Sequence, residues 1–128
     1  MDSDEFIESI SCGALFTIAL SNKGRVFGCG FQGTHSANQS HEEFFDKAKF
    51  KHVKIEAKIL QISAGLSGCA ALSKEGFVYI WGKFGKTVNI VPKKVKRSSN
   101  SINDRPDDEK FVSVKVGDEF VVLLSSRG

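Results

Sequence analysis

Proline is scarce in this chain, with 2 in 128 residues, while phenylalanine reaches 11. That balance argues against a disordered tail and for a strand-rich core. The 3 cysteines, Cys12, Cys29 and Cys69, form no C-x-x-C pair. An odd count without a framework fits free thiols in a reducing compartment. His35, His41 and His52 do not fall at the spacings of a structural zinc site, so no metal is expected. Long apolar runs are missing too. The longest, such as Ala14–Phe16 and Phe120–Leu124, fall far short of the roughly 20 residues that cross a bilayer. The opening MDSDEFIES lacks the basic start and apolar stretch of a secretory signal, so a cytoplasmic or nuclear location is expected. Net charge is only +3, which does not by itself imply nucleic acid. Nothing specifies acid–base or nucleophilic chemistry. His41, Glu42 and Glu43 lie together, but no serine or cysteine sits on a recognisable elbow. The expectation is a non-catalytic binding module without a cofactor.

What the chain does have is a repeat. Residues 7–30, IESISCGALFTIALSNKGRVFGCG, align without a gap to residues 59–82, ILQISAGLSGCAALSKEGFVYIWG, at an offset of 52 residues. Identical residues occupy 10 of the 24 positions. A third copy begins one offset later, FVSVKVGDEFVVLLSSRG at 111–128. Glycines keep the register: Gly13, Gly65 and Gly117; Gly24, Gly76 and Gly128; Gly30 and Gly82. Three copies at one spacing define a repeat architecture before any motif is weighed.

Each unit reads as strands. IESIS, ILQIS and VSVKV each form a strand ending at a glycine. ALFTIAL and CAALS lead into the turns Asn22-Lys23-Gly24 and Lys74-Glu75-Gly76, and RVFGC and FVYIW return. A small antiparallel sheet of about four strands, recurring roughly every 50 residues, is a propeller blade. The predicted fold is all-β: a partial β-propeller of antiparallel four-stranded blades, about two and a third repeats. Residues 1–6 form an N-terminal tail, 7–58 the first repeat, 59–110 the second and 111–128 a partial third.

The repeat also settles a competing motif. Gly28–Gly33, GCGFQG, fits the G-x-G-x-x-G of a phosphate-cradling loop. Its counterpart IWGKFG replaces the first glycine with Ile80, and a phosphate loop needs that glycine for its tight turn. The glycines therefore read as ending a strand and turning the chain.

With these residues in view, the unit resembles the repeat of the regulator of chromosome condensation family. The matching positions are Gly13, Ala19, Leu20, Ser21, Gly24, Val26, Phe27 and Gly30, and then Gly65, Ala71, Leu72, Gly76, Val78, Tyr79, Trp81 and Gly82. Pro92-Lys93-Lys94-Val95 is similar to the proline-x-x-valine element that starts the family's outer strands. Phe16, Gly68 and Phe120 stand where the family often has histidine, and Cys29 where tryptophan is usual. The resemblance implies a seven-bladed propeller of several hundred residues. Two units and part of a third are therefore expected to be a fragment, a truncated product, or a chain completed by blades from other copies.

Function in such folds resides on loops. Segment 83–110 is polarised: Lys83, Lys86, Lys93, Lys94, Lys96 and Arg97 come first, then Asp104, Asp107, Asp108 and Glu109. Lys86, Lys93, Lys94, Lys96 and Arg97 are the candidate partner-binding residues, for an acidic protein or for nucleic-acid phosphates. The bland alternative is a solvated loop whose halves partly neutralise each other. A protein-interaction module is the leading expectation. The resemblance adds guanine-nucleotide exchange on a small GTPase, and the basic segment adds chromatin attachment as a weaker reading.

Overall fold

In a computed structural model of the chain, the structure describes residues 3–30, 50–95 and 110–126. All the regular structure among them is β. The first sheet runs β1 (Ile7–Cys12), β2 (Phe16–Ser21), β3 (Val26–Gly30), β4 (Lys51–Val53), each strand antiparallel to the next. The second repeats that order with β5 (Ile59–Ala64), β6 (Gly68–Ser73), β7 (Val78–Phe84) and β8 (Thr87–Lys94). A third hairpin pairs β9 (Phe111–Val116) with β10 (Val121–Ser125). The chain is thus two four-stranded blades and a two-stranded third, part of a propeller, as the repeat predicts.

The local chemistry explains each blade. The second strand is the middle layer and is covered on both faces. Every residue of Gly68–Ser73 is buried, which is why the segment reads as a short unbroken run of small apolar residues. Alternation then deals its side chains to two cores. Cys69 and Ala71 join Phe16, Ile18, Leu20, Ile62 and Trp81 between the first two blades, while Ala70 and Leu72 join Val78 and Val114 between the second blade and the third hairpin. Gly24 and Gly76 take φ of 77° and 87° in the turns that follow, where a side chain would be strained. The serine of each Ala-Leu-Ser supports the turn: Ser21 Oγ accepts from the amides of Lys23 and Arg25, and Ser73 Oγ from that of Phe77.

Blades are stitched together at the same offset. The Ile59 amide donates to the Gly24 carbonyl (3.0 Å), and the Phe111 amide to that of Gly76 (3.1 Å). The Lys74 amide donates to the Lys58 carbonyl, and the Ser126 amide to that of Lys110, both at 2.8 Å. The sequence-derived register therefore holds at every described joint.

The fourth strand does not obey the offset. β4 ends six residues before β5 begins, whereas the segment that leads into β9 starts from Val95, which donates to the Val78 carbonyl at the end of the second sheet. Blade one carries its long connection before the outer strand and blade two carries it after. The Pro92–Val95 element also does not open its strand. β8 starts earlier, in a hairpin turned at Gly85 (φ 58°) that pairs Thr87 with Phe84; after a register shift, Lys93 and Lys94 pair with Ile80 and Tyr79.

Candidate interaction surface

The antiparallel order gathers the β1–β2, β5–β6 and β9–β10 turns at one end of the stack. Each closes by the same bond: the Gly13, Gly65 and Gly117 amides donate to the carbonyls of Phe16, Gly68 and Phe120. The Ala14 amide reaches the Leu66 carbonyl (3.2 Å) and joins the first two turns. The Lys83 amide donates to Ser67 (2.9 Å) and hooks the β7–β8 hairpin to the same end. Onto this braced rim the sequence puts Leu15, Leu66 and Phe120, with Phe50 just before β4, all half or more exposed.

Glycine is required on this rim because aromatic rings sit against it. A side chain at Gly13 would strike the Phe16 ring, and one at Gly117 the Phe120 ring. In the middle blade the equivalent aromatic is missing. Gly68 leaves that space open, and Phe84 from the β7–β8 hairpin fills it. The departures at Phe16, Gly68 and Phe120 are thus one packing scheme solved two ways.

The opposite end carries charge. Arg25 is forked onto the fully buried Glu5 carboxylate, Nε to Oε1 at 2.8 Å and Nη2 to Oε2 at 2.5 Å, and Lys23 Nζ reaches Asp4 at 2.8 Å. Asn22 completes the clamp: its Oδ1 accepts from the Phe6 amide and its Nδ2 donates to the Asp4 carbonyl. Residues 4–6, read from sequence as tail, are tied to the β2–β3 turn. The signal was present as acidic residues facing Asn22-Lys23-Gly24-Arg25, but nothing local in sequence pairs them.

Of the candidate residues, Lys93 and Lys94 lie in β8 and Lys86 just before it. Lys86 sits at the hairpin tip on the apolar rim. Lys93 and Lys94 lie at the far end of the strand, and as neighbours they point to opposite faces of the sheet. Lys94 Nζ stands 3.6 Å from the Phe77 ring centroid, a cation–π contact. Lys96 and Arg97 lie outside the described residues, as does Gly128. Pro92, which has no amide hydrogen, and the lysines beside it blunt the outermost edge against strand pairing.

The described half of the glycine-rich motif, Gly28 to Gly30, is strand. Gly28 pairs with Ile18 on one side and Lys51 on the other, and Gly30 ends β3 with φ of 87°, as Gly82 does at 88° in β7. Gly33 lies outside the described residues. Among the described residues no group of His, Cys, Asp and Glu gathers to hold a metal, and no helix is long and apolar enough to cross a membrane. Burial pushes the Cys69 thiol well up from its ordinary range, whereas Cys12 is exposed beside the Thr17 hydroxyl.

Comparison with known proteins fits this architecture. A family model of the Regulator of chromosome condensation (RCC1) repeat matches residues 7–35. The regulator of chromosome condensation of Mus musculus is 30% identical over 91% of this chain and 28% of its own length. The chain carries the regulator of chromosome condensation repeat over 7–35 and is similar to these regulators over most of its length. It spans under a third of the curated relatives it matches; the human regulator is 29% identical over 97% of this chain and 30% of its own. Among solved structures, human WBSCR16 superposes with a TM-score of 0.73 at 19% identity, over 94% of this chain and 32% of that one. Prp20p of Saccharomyces cerevisiae gives 0.68 at 21%, over 99% and 33%. At these identities the two structures speak for the propeller fold alone.

Proposed function

We propose that this chain is a protein-interaction module whose contact surface is the apolar rim of its repeat turns. The observation that carries the reading is the row Leu15, Leu66 and Phe120, exposed yet held by backbone bonds that repeat from blade to blade. Large apolar side chains on a rigid support lose little entropy on binding, which is how interfaces concentrate affinity in a few anchors. Lys86 at the adjacent hairpin tip adds a positive charge to the rim, suited to an acidic partner. The test is quantitative cross-linking in cell extract with wild type and a Leu15→Asp/Leu66→Asp variant, matched for thermal unfolding. The expected result is loss of specific cross-linked partners in the variant. An unchanged set of partners would contradict the reading.

A second reading, exchange on a small GTPase, draws support from the repeat family and from Prp20p, a neighbour described as binding Gsp1p and histones. An exchange factor works by binding the nucleotide-free GTPase better than the loaded one. Accelerated release of labelled GDP across a panel of small GTPases would establish it; no acceleration, with protein binding intact, leaves the first reading. Chromatin attachment through Lys93, Lys94, Lys96 and Arg97 would instead show as nuclear retention lost when these four are replaced.

A further inference from the structure

The two ends of the blade stack are the two halves of an interface the chain already makes twice. At each internal joint, a strand face of one blade meets the first strand of the next. Ile18 and Leu20 of β2 pack on Ile62 of β5, and Ala70 and Leu72 of β6 pack on Val114 of β9. Ile62 is 7% exposed and Val114 0%. Their equivalent in the first blade, Ile10, is 64% exposed, with no strand covering it among the described residues. At the other end Val122 and Leu124, the equivalents of Ile18 and Leu20, are half exposed.

Polar contacts follow the same logic. The Ser11 hydroxyl accepts from the Ala64 amide (2.9 Å), and the Ser63 hydroxyl from the Val116 amide (3.1 Å). Gln61 Oε1 accepts from the Val114 amide (2.8 Å). The first strand thus offers its neighbour a column of acceptors. One offset beyond Ser63 the residue is Lys115, exposed, whose ammonium donates and cannot accept.

We propose that the chain associates head to tail with further copies of itself, the Ile10 face of one copy seated on the Val122–Leu124 face of another, and that Lys115 keeps this joint weak. Continuity selects a second copy as the occupant. Its first strand carries the family of residues, Ile10 and the Cys12 amide, that Ile62 with Ala64 and Val114 with Val116 present at the two internal joints. Lys115 then faces the Cys12 amide, donor against donor, where serine would complete the bond. The contact is heterologous, since the two surfaces differ.

Sedimentation velocity across a concentration series tests this. Wild type is expected to grow in mass with concentration, and Lys115→Ser to do so at about tenfold lower concentration. Ile10→Asp and Leu124→Asp each remove one face at an exposed position and are expected to sediment as single chains with unchanged circular dichroism. Mixed in equal amounts, they retain one complementary pair of faces and should form a species of two chains and no larger. A mixture that stays at one chain, either single variant still assembling, or Lys115→Ser associating no more tightly than wild type would overturn the proposal.

Discussion

The middle strand of the first blade and that of the third hairpin are nearly the same element in different surroundings. Phe16, Ile18 and Leu20 are 5%, 0% and 3% exposed, while Phe120, Val122 and Leu124, two repeats on, are 60%, 56% and 50% exposed. Both strands alternate, and both follow a glycine turn closed by the same backbone bond. What differs is the neighbour. β2 is covered by β5, and β10 has no such cover among the described residues. The pattern of the sequence specifies a strand with two apolar faces; the stack decides which faces are dry.

The comparison sharpens most under truncation. Leu72→Ala empties a site in the covered middle strand and should cost about 3 kcal/mol, whereas Leu124→Ala at the equivalent open position should cost under about 1 kcal/mol. Urea unfolding at concentrations where the chain is single measures both, and equal losses would break the comparison. Next in size is the clamp at the charged end. Glu5→Gln should cost about 2 kcal/mol, because a buried carboxylate that holds Arg25 in a fork is lost. A loss near zero would mean that residues 4–6 merely rest on the first blade.

Titration offers a third contrast. Burial raises the Cys69 thiol above its ordinary 9.0, so the folded state holds the proton and the unfolded state releases it. The contribution to stability is fully present below pH 9 and declines as pH rises through the unfolded value, by at most about 1.4 kcal/mol per pH unit. Cys69→Ala should flatten that part of the alkaline limb in pH-dependent urea melts. In the native state a thiol reagent should label exposed Cys12 promptly and Cys69 only as fast as the chain opens. The smallest effect belongs to Lys94, whose replacement by alanine removes a cation–π contact with Phe77 worth about 0.5–1 kcal/mol.

Much of this was legible in sequence because repetition carries geometry. Gly24 and Gly76 marked the turns, and Gly13, Gly65 and Gly117 fell in register, so the blades followed. The outer strand was not legible. Lys51–Val53 and Thr87–Lys94 share neither the offset nor a pattern, since an edge strand is chosen by which segment reaches the sheet and not by its own alternation. Nor could sequence foresee Phe84 filling the space at Gly68, a contact set by the β7–β8 hairpin. The rim of Leu15, Leu66 and Phe120 was hidden for a related reason: apolar turn residues stand out only once the turns share one end. The basic segment was conspicuous in sequence because its charges are consecutive, yet a strand sends Lys93 and Lys94 to opposite faces.

Hydrogen–deuterium exchange followed strand by strand, on dilute single chains, tests most directly that stacking controls order here. The account predicts that the amides of Ala70–Leu72 in β6 exchange slowest of all, with those of Val122–Leu124 in β10 orders of magnitude faster. Protection in β10 equal to that in β6 would contradict it.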